Sequence, residues 1–195
     1  MNVQNNNEKA WAIIALASVP LIMTLGNSMF IPMLPILEKK LEITKVESSY
    51  MITFYSVVAI IFIPIAGYLS DRFGRKRVIL PALIITAIGG LLSGIAAWKM
   101  NNPYVVILIG RILQGIGASG AMPVVLPLVG DIFHRNDEAT STLGIIETSN
   151  TAGKVLSPIL GAALTALVWY LPFFAIPIFS IISGILSCQA SQPIS

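Results

Sequence analysis

Six polar or charged side chains stand within otherwise apolar runs: Asn27, Arg111, Gln114, Glu147, Asn150 and Lys154. Ionisable groups at membrane depth are costly unless they face a cavity or a partner, so each marks a functional position by default. Glu147 reads as the best candidate proton carrier, on the expectation that it is buried. Arg111 and Gln114 lie three residues apart, one helical turn, and face the same way. For Arg111 the alternative is snorkelling to the outer surface, only about 9 Å away along the helix. Thr24, Asn27 and Ser28 recur at helical spacing and form another inward polar patch. Glu147, Asn150, Thr151, Lys154, Pro158, Gly161 and Thr165 recur at spacings that put them on one helix face. That stripe lines a pathway, or it is a structural seam between helices. Lys154 lies about 10.5 Å beyond Glu147 along the axis, so the two share a face without touching.

Elements of a particular kind must position these residues. The chain has 195 residues, 55% hydrophobic and 11% charged. A soluble domain of that length could not hide so much apolar surface. A hydrocarbon core of about 30 Å needs roughly 20 helical residues. Six segments qualify, approximately 11–37, 50–70, 78–98, 105–133, 143–168 and 171–188. Several contain proline, which packed membrane helices accommodate by bending. The N-terminus is short and polar, with no small-residue cleavage site, and predicts no removable signal. Four of the predicted inside cations, Arg72, Arg75, Lys76 and Arg77, crowd one short loop, which places both termini in the cytoplasm. Trp169 and Tyr170 suit an outer interfacial belt.

The remaining composition excludes several classes. The net charge of +3 carries no nucleic-acid signature, and a single cysteine, Cys188, makes an internal disulfide impossible and a metal site improbable. His134 reads as a solvated loop residue. With no nucleophile–base set and no metal cluster, no enzyme and no cofactor are expected.

The loop beginning at Gly67 reads GYLSDRFGRKRVIL. Gly67 suits a close helix approach, Asp71 can accept from backbone N–H groups at a helix start, and Gly74 suits a tight turn. Lys76 and Arg77 read as simple topology charges. The ordered set Gly67, Leu69, Asp71, Arg72, Gly74, Arg75, Lys76 and Arg77 resembles the loop signature of the major facilitator superfamily. The resemblance implies a conformational latch, with Asp71 facing a helix of the other half-protein and Arg75 pairing with Asp131. The run Arg111, Gln114, Gly115, Gly117, Ala118 resembles the fourth-helix signature of proton-coupled members, where the arginine is implicated in coupling. Gly153, Pro158 and Gly161 match the fifth-helix antiporter signature, with Ser157 and Ala162 replacing two glycines.

The resemblance implies an all-α membrane protein: one six-helix half, a 3+3 inverted repeat, of a major facilitator fold. It implies proton-coupled efflux of small molecules, with the substrate site between two halves. The expected partners are a small-molecule substrate, protons, the lipid bilayer, and a second six-helix half or a copy of the chain. The alternative is a non-transporting fragment or a half-transporter subunit. The ending at residue 195 predicts a truncation, a split gene or a disrupted reading frame.

Overall fold

The computed structural model describes residues 6–132 and 136–189. Phe133, His134, Arg135, Met1 and Ser195 lie outside the described residues. Seven helices follow in chain order: α1 (Asn6–Ser28), α2 (Leu34–Leu41), α3 (Lys45–Phe73), α4 (Arg75–Lys99), α5 (Tyr104–Ile132), α6 (Asn136–Leu167) and α7 (Leu171–Gln189).

The first predicted span, 11–37, is not one helix. It breaks into turns over 29–33, and α2 restarts as a short helix with Pro35 in its first turn. Pro32 explains the break, because it has no N–H to donate and its ring clashes with the preceding turn. The chain crosses the gap on tighter bonds, Phe30 N to Asn27 O at 3.3 Å and Met33 N to Phe30 O at 3.1 Å. Mid-helix Pro20, Pro64, Pro81, Pro123, Pro127, Pro158 and Pro177 are by contrast accommodated.

The start of α3 is fixed by a capping box. Thr44 N donates to Glu47 Oε2 at 2.8 Å, and Glu47 N donates to Thr44 Oγ1 at 3.2 Å. The Thr44 backbone N–H first, and then its hydroxyl, which also donates to Glu47 Oε2 at 2.8 Å, hold the Glu47 carboxyl below its ordinary pKa. Between α3 and α4 the turn is a single residue. Gly74 takes φ +95°, a conformation open to glycine and strained for other residues, and caps both helices. Asp71 does not cap α4, contrary to one expectation from the sequence: it sits inside the last turn of α3, and the α4 N-cap has no side-chain hydrogen bond.

Among the described residues five helices are long and apolar enough to cross a membrane: α1, α3, α4, α5 and α7. The 32 residues of α6 would span about 48 Å, but Glu147, Asn150 and Lys154 dilute its apolar character. The α5 helix is central, lying against α4 along one side and α3 along another. On the opposite side α1 packs on α6 and α7, and α7 packs on α4. Helices from the first and second halves of the chain are therefore interleaved.

Glycine makes the α4–α5 crossing possible. A Cβ at Gly117 would sit 2.1 Å from Thr86 Oγ1 and 2.5 Å from the Ala82 carbonyl, and one at Gly110 2.0 Å from Ser93 Oγ. Small residues at such crossings let backbones approach where lipid offers no hydrophobic drive.

Two buried clusters result. One includes Val19, Met23, Leu83, Val125 and Ile146, and the other includes Phe30, Met33, Leu37, Met51, Ile107 and Phe173. The polar residues of α1 and α5 fall between them.

Candidate functional site

Arg111 is fully buried, so it does not snorkel. Its guanidinium lies 4.0 Å from the centre of the Phe30 ring and 4.5 Å from that of Tyr55. Nε donates to the Met51 carbonyl at 3.2 Å, Nη1 to Gln114 Oε1 at 2.6 Å and Nη2 to Asn27 Oδ1 at 2.9 Å. One cation thus ties α5 to α1 and α3. Among the described residues no carboxylate pairs with it. Aromatic faces and neutral oxygens stabilise the charge instead. Gln114 is equally buried, and its Nε2 has no hydrogen-bond partner.

Sequence reasoning missed Tyr55, Phe30 and the Met51 carbonyl. A signal for the first existed, because Gly115 lies beside Arg111: a Cβ there would come 2.5 Å from the Tyr55 carbonyl, so this glycine brings α3 onto the guanidinium.

A second polar thread crosses from α1 to α6. Thr24 Oγ1 donates to Asn150 Oδ1 at 2.5 Å, and Asn150 Nδ2 donates to Glu147 Oε1 at 3.2 Å. Two turns further along α6, Ser157 Oγ donates to the Leu25 carbonyl at 2.7 Å. Asn27 and Thr24 are one turn apart on α1, so the two threads come close on the same helix.

The α6 stripe predicted as one face divides. Asn150, Gly161 and Thr165, with Gly153 and Ser157, are buried, and a Cβ at Gly161 would approach the Met29 carbonyl to 2.7 Å. Asn150 therefore belongs to a helix seam. Glu147, Thr151 and Lys154 lie along an exposed edge, with Pro158 half-buried beside them. The expected burial of Glu147 is not met within this chain, because its position turns it past α1 rather than onto it. Lys154 has no ion-pair partner among the described residues.

At the end of the bundle nearest the α3–α4 turn, Arg75 Nε donates to Asp131 Oδ2 at 2.5 Å, and Arg75 Nη2 lies 3.8 Å from Asp71 Oδ1. Asp71 remains 72% exposed, leaving it free to meet another element. Arg72 donates to Tyr68 OH at 3.3 Å and lies over the Phe73 ring. Gly67 has no neighbour within 4 Å of where a Cβ would be, so no helix of this bundle uses the approach it allows. Lys76 borders a cavity of about 30 Å³ among α1, α4, α5 and α7.

Known proteins resemble this chain in sequence and fold. The family model of the Major Facilitator Superfamily matches residues 16–189. The chain belongs to that superfamily. It is 62% identical over 162 residues to the bacillibactin exporter of Bacillus subtilis, covering 83% of this chain and 40% of that protein. It is 30% identical over 163 residues to multidrug resistance protein 1 of the same organism, covering 84% of this chain and again 40% of the relative. The chain spans 40% of the length of these curated relatives. A solved proton:xylose symporter, XylE, superposes with a TM-score of 0.82 at 14% identity, over 95% of this chain and 45% of that one. The symporter supports the fold, and the two curated relatives are exporters or resistance proteins of a membrane transporter family.

Proposed function

We propose that the chain forms the N-terminal six-helix half of a proton-coupled exporter of small molecules, with bacillibactin or a compound like it as cargo. The observation that carries this reading is the 62% identity to the bacillibactin exporter over 83% of the chain. In this reading α1 with α2, then α3, α4, α5, α6 and α7, make the six spans. The interleaving of the first three with the last three supports a 3+3 repeat. The exposed edge Glu147–Lys154 faces a second six-helix bundle across the transport path, as midplane sites between repeats do. Covered by that bundle, Glu147 takes up and releases the coupling proton. Arg111 holds a fixed positive charge beside the path, and Gln114, Asn27 and Asn150 connect it to α1 and α6. The contact of Arg75 with Asp131, with Asp71 beside it, acts as the latch between inward- and outward-facing states. The fifth-helix set Gly153, Ser157, Pro158 and Gly161 supports an antiporter, because its small residues seat α6 on α1.

The test uses a Bacillus subtilis strain lacking its bacillibactin exporter. The chain is expressed alone, or together with the part of that exporter which the chain does not match. Secretion of bacillibactin is expected from the pair and not from the chain alone. No secretion from a pair present in the membrane fraction would overturn the cargo assignment. In this reading both termini lie in the cytoplasm; reporter fusions there that work only outside the cell would overturn the topology.

A second reading is a half-transporter subunit that pairs with a copy of itself. The exposed charges of α6 and the open face at Gly67 support it equally. Gradient-driven transport by the purified chain, lost in Glu147→Gln, would favour it if the active species is a dimer.

A further inference from the structure

The cations of the α3–α4 turn do not share one environment. Arg75 meets Asp131, Arg72 meets Tyr68 and Phe73, and Lys76 turns toward the cavity among α1, α4, α5 and α7. Arg77 does none of these. It has no ion pair among the described residues and borders a separate groove between α3 and α4.

The groove exists because α3 and α4 meet at Gly74 and then diverge, each packing mainly on α5 rather than on the other. Phe62, Ile65 and Leu69 form one wall, Ile85 lies on the other, and Ile116 of α5 is on the floor. Its volume is about 370 Å³. The wall is apolar and partly uncovered, Ile65 being 46% exposed and Leu69 37%. Arg77 stands at the end nearest the turn, where a bilayer surface meets the helix ends.

We propose that this groove is a binding site for an anionic phospholipid of the leaflet next to the α3–α4 turn, with an acyl chain between α3 and α4 and the phosphate at Arg77. Charge selects the occupant. A neutral hydrocarbon needs no arginine at the mouth, whereas basic residues at helix ends beside an apolar cleft suit an anionic headgroup. A lipid there would bridge α3 and α4 beside the contact of Arg75 with Asp131. The site depends on membrane insertion and not on the transported compound.

The test places the purified chain in nanodiscs of phosphatidylcholine and phosphatidylglycerol with identical acyl chains. Lipid retained after mild extraction is read by native mass spectrometry. A photoreactive phosphatidylglycerol then maps the contact. The expected result is enrichment of phosphatidylglycerol with labelling at 62–69 and 81–85. Arg77→Ala should lower the enrichment about fivefold, the equivalent of about 1 kcal/mol for one basic residue near an anionic surface. Arg77→Lys should keep most of it. Ile65→Trp, at an exposed wall position, should lower total retained lipid while leaving the phosphatidylglycerol preference of the remainder intact. Unchanged enrichment in Arg77→Ala, or labelling confined to other helices, overturns the proposal. So does a disulfide between copies through Ile65→Cys with no lipid label, which would assign the groove to a protein interface.

Discussion

Replacing Arg111 should separate what this residue does for the fold from what it does for transport. The guanidinium reaches three oxygens in three directions, on Met51, Gln114 and Asn27, at 3.2, 2.6 and 2.9 Å, and stacks between two rings. In Arg111→Lys the positive charge stays buried. A single ammonium cannot span acceptors placed for a planar fork, and the stacking is lost. Two oxygens are left poorly served, each at about 1–2 kcal/mol, so Arg111→Lys should cost roughly 2–4 kcal/mol. Arg111→Met loses all three bonds, at roughly 3–6 kcal/mol on the same figure, but removes the cost of desolvating an ion that has no carboxylate beside it, itself several kcal/mol. It also fills the space between Phe30 and Tyr55. Apolar replacement of buried ionic groups is often near neutral, so Arg111→Met should cost only about 0–2 kcal/mol. The predicted order of stability is wild type, then Met, then Lys. Unfolding followed by tryptophan fluorescence in mixed micelles measures it. Lys equal to wild type, or Met clearly less stable than Lys, would refute the argument that charge burial is the dominant cost. Met that folds and abolishes export in the paired assay would mark the charge as kept for function.

At the α4–α5 crossing, Gly117→Ala should destabilise by about 1–3 kcal/mol, because the new methyl meets a backbone carbonyl and Thr86, whereas Gly130→Ala, with open space, should be neutral or slightly stabilising by thermal unfolding. Asp131→Asn and Arg75→Ala should each leave stability within about 1 kcal/mol, since Asp131 is 56% exposed and Arg75, 22% exposed, is still reached by water. In the paired exporter they should give similar transport defects, and the double variant little more; fully additive defects would separate the two residues. The Glu47 cap should be pH-dependent. Its carboxyl is depressed when folded, so its contribution is present above the unfolded glutamate pKa, about 4.3, and is lost as pH falls through the lower folded value. Glu47→Gln should flatten the acid limb of a thermal-unfolding profile between about pH 5 and pH 3; an unchanged limb would exclude the cap as its origin.

Much of this architecture was legible because membrane helices advertise themselves. Long apolar runs between charged turns predict helices near their observed places, and the ordered loop from Gly67 to Arg77 predicts a tight turn at Gly74, although not that one residue makes it. Arg75 and Asp131, 56 residues apart, were paired through family resemblance alone; composition carries no information about such a contact. The break at 29–33 was hidden because proline in a membrane helix has two outcomes. Pro20 and Pro158 stay helical within packed segments, whereas Pro32, with Pro35 following, ends α1 where α2 can turn aside. Tyr55 and Phe30 were invisible for another reason. Aromatic residues in an apolar span look like core until a cation is seen to lie between them.

The division of α6 bears most directly on mechanism. Helical spacing groups Glu147 with Asn150 and Lys154, but a polar face about 100° wide can touch two different neighbours. Asn150 and Ser157 fall on the side that meets α1, where Thr24 and the Leu25 carbonyl receive them. Glu147 and Lys154 stand three residues before Asn150 and Ser157, about 60° round the helix, and meet no covering element among the described residues. Were the seam alone the purpose of the stripe, apolar or small residues would serve at 147 and 154 at lower cost in a bilayer. Asn150 joins the two sides, holding Thr24 on α1 and Glu147 on the edge through one amide. On the proposed reading, a change of charge at Glu147 would act on α1 through Asn150, and α1 also carries Asn27, the partner of Arg111. Asn150→Ala should leave the α1–α6 seam largely assembled, because Gly153, Ser157 and Gly161 still hold it, while uncoupling export from the proton gradient in the paired exporter. Coupled export at wild-type efficiency in Asn150→Ala would show that the edge and the arginine work without this link.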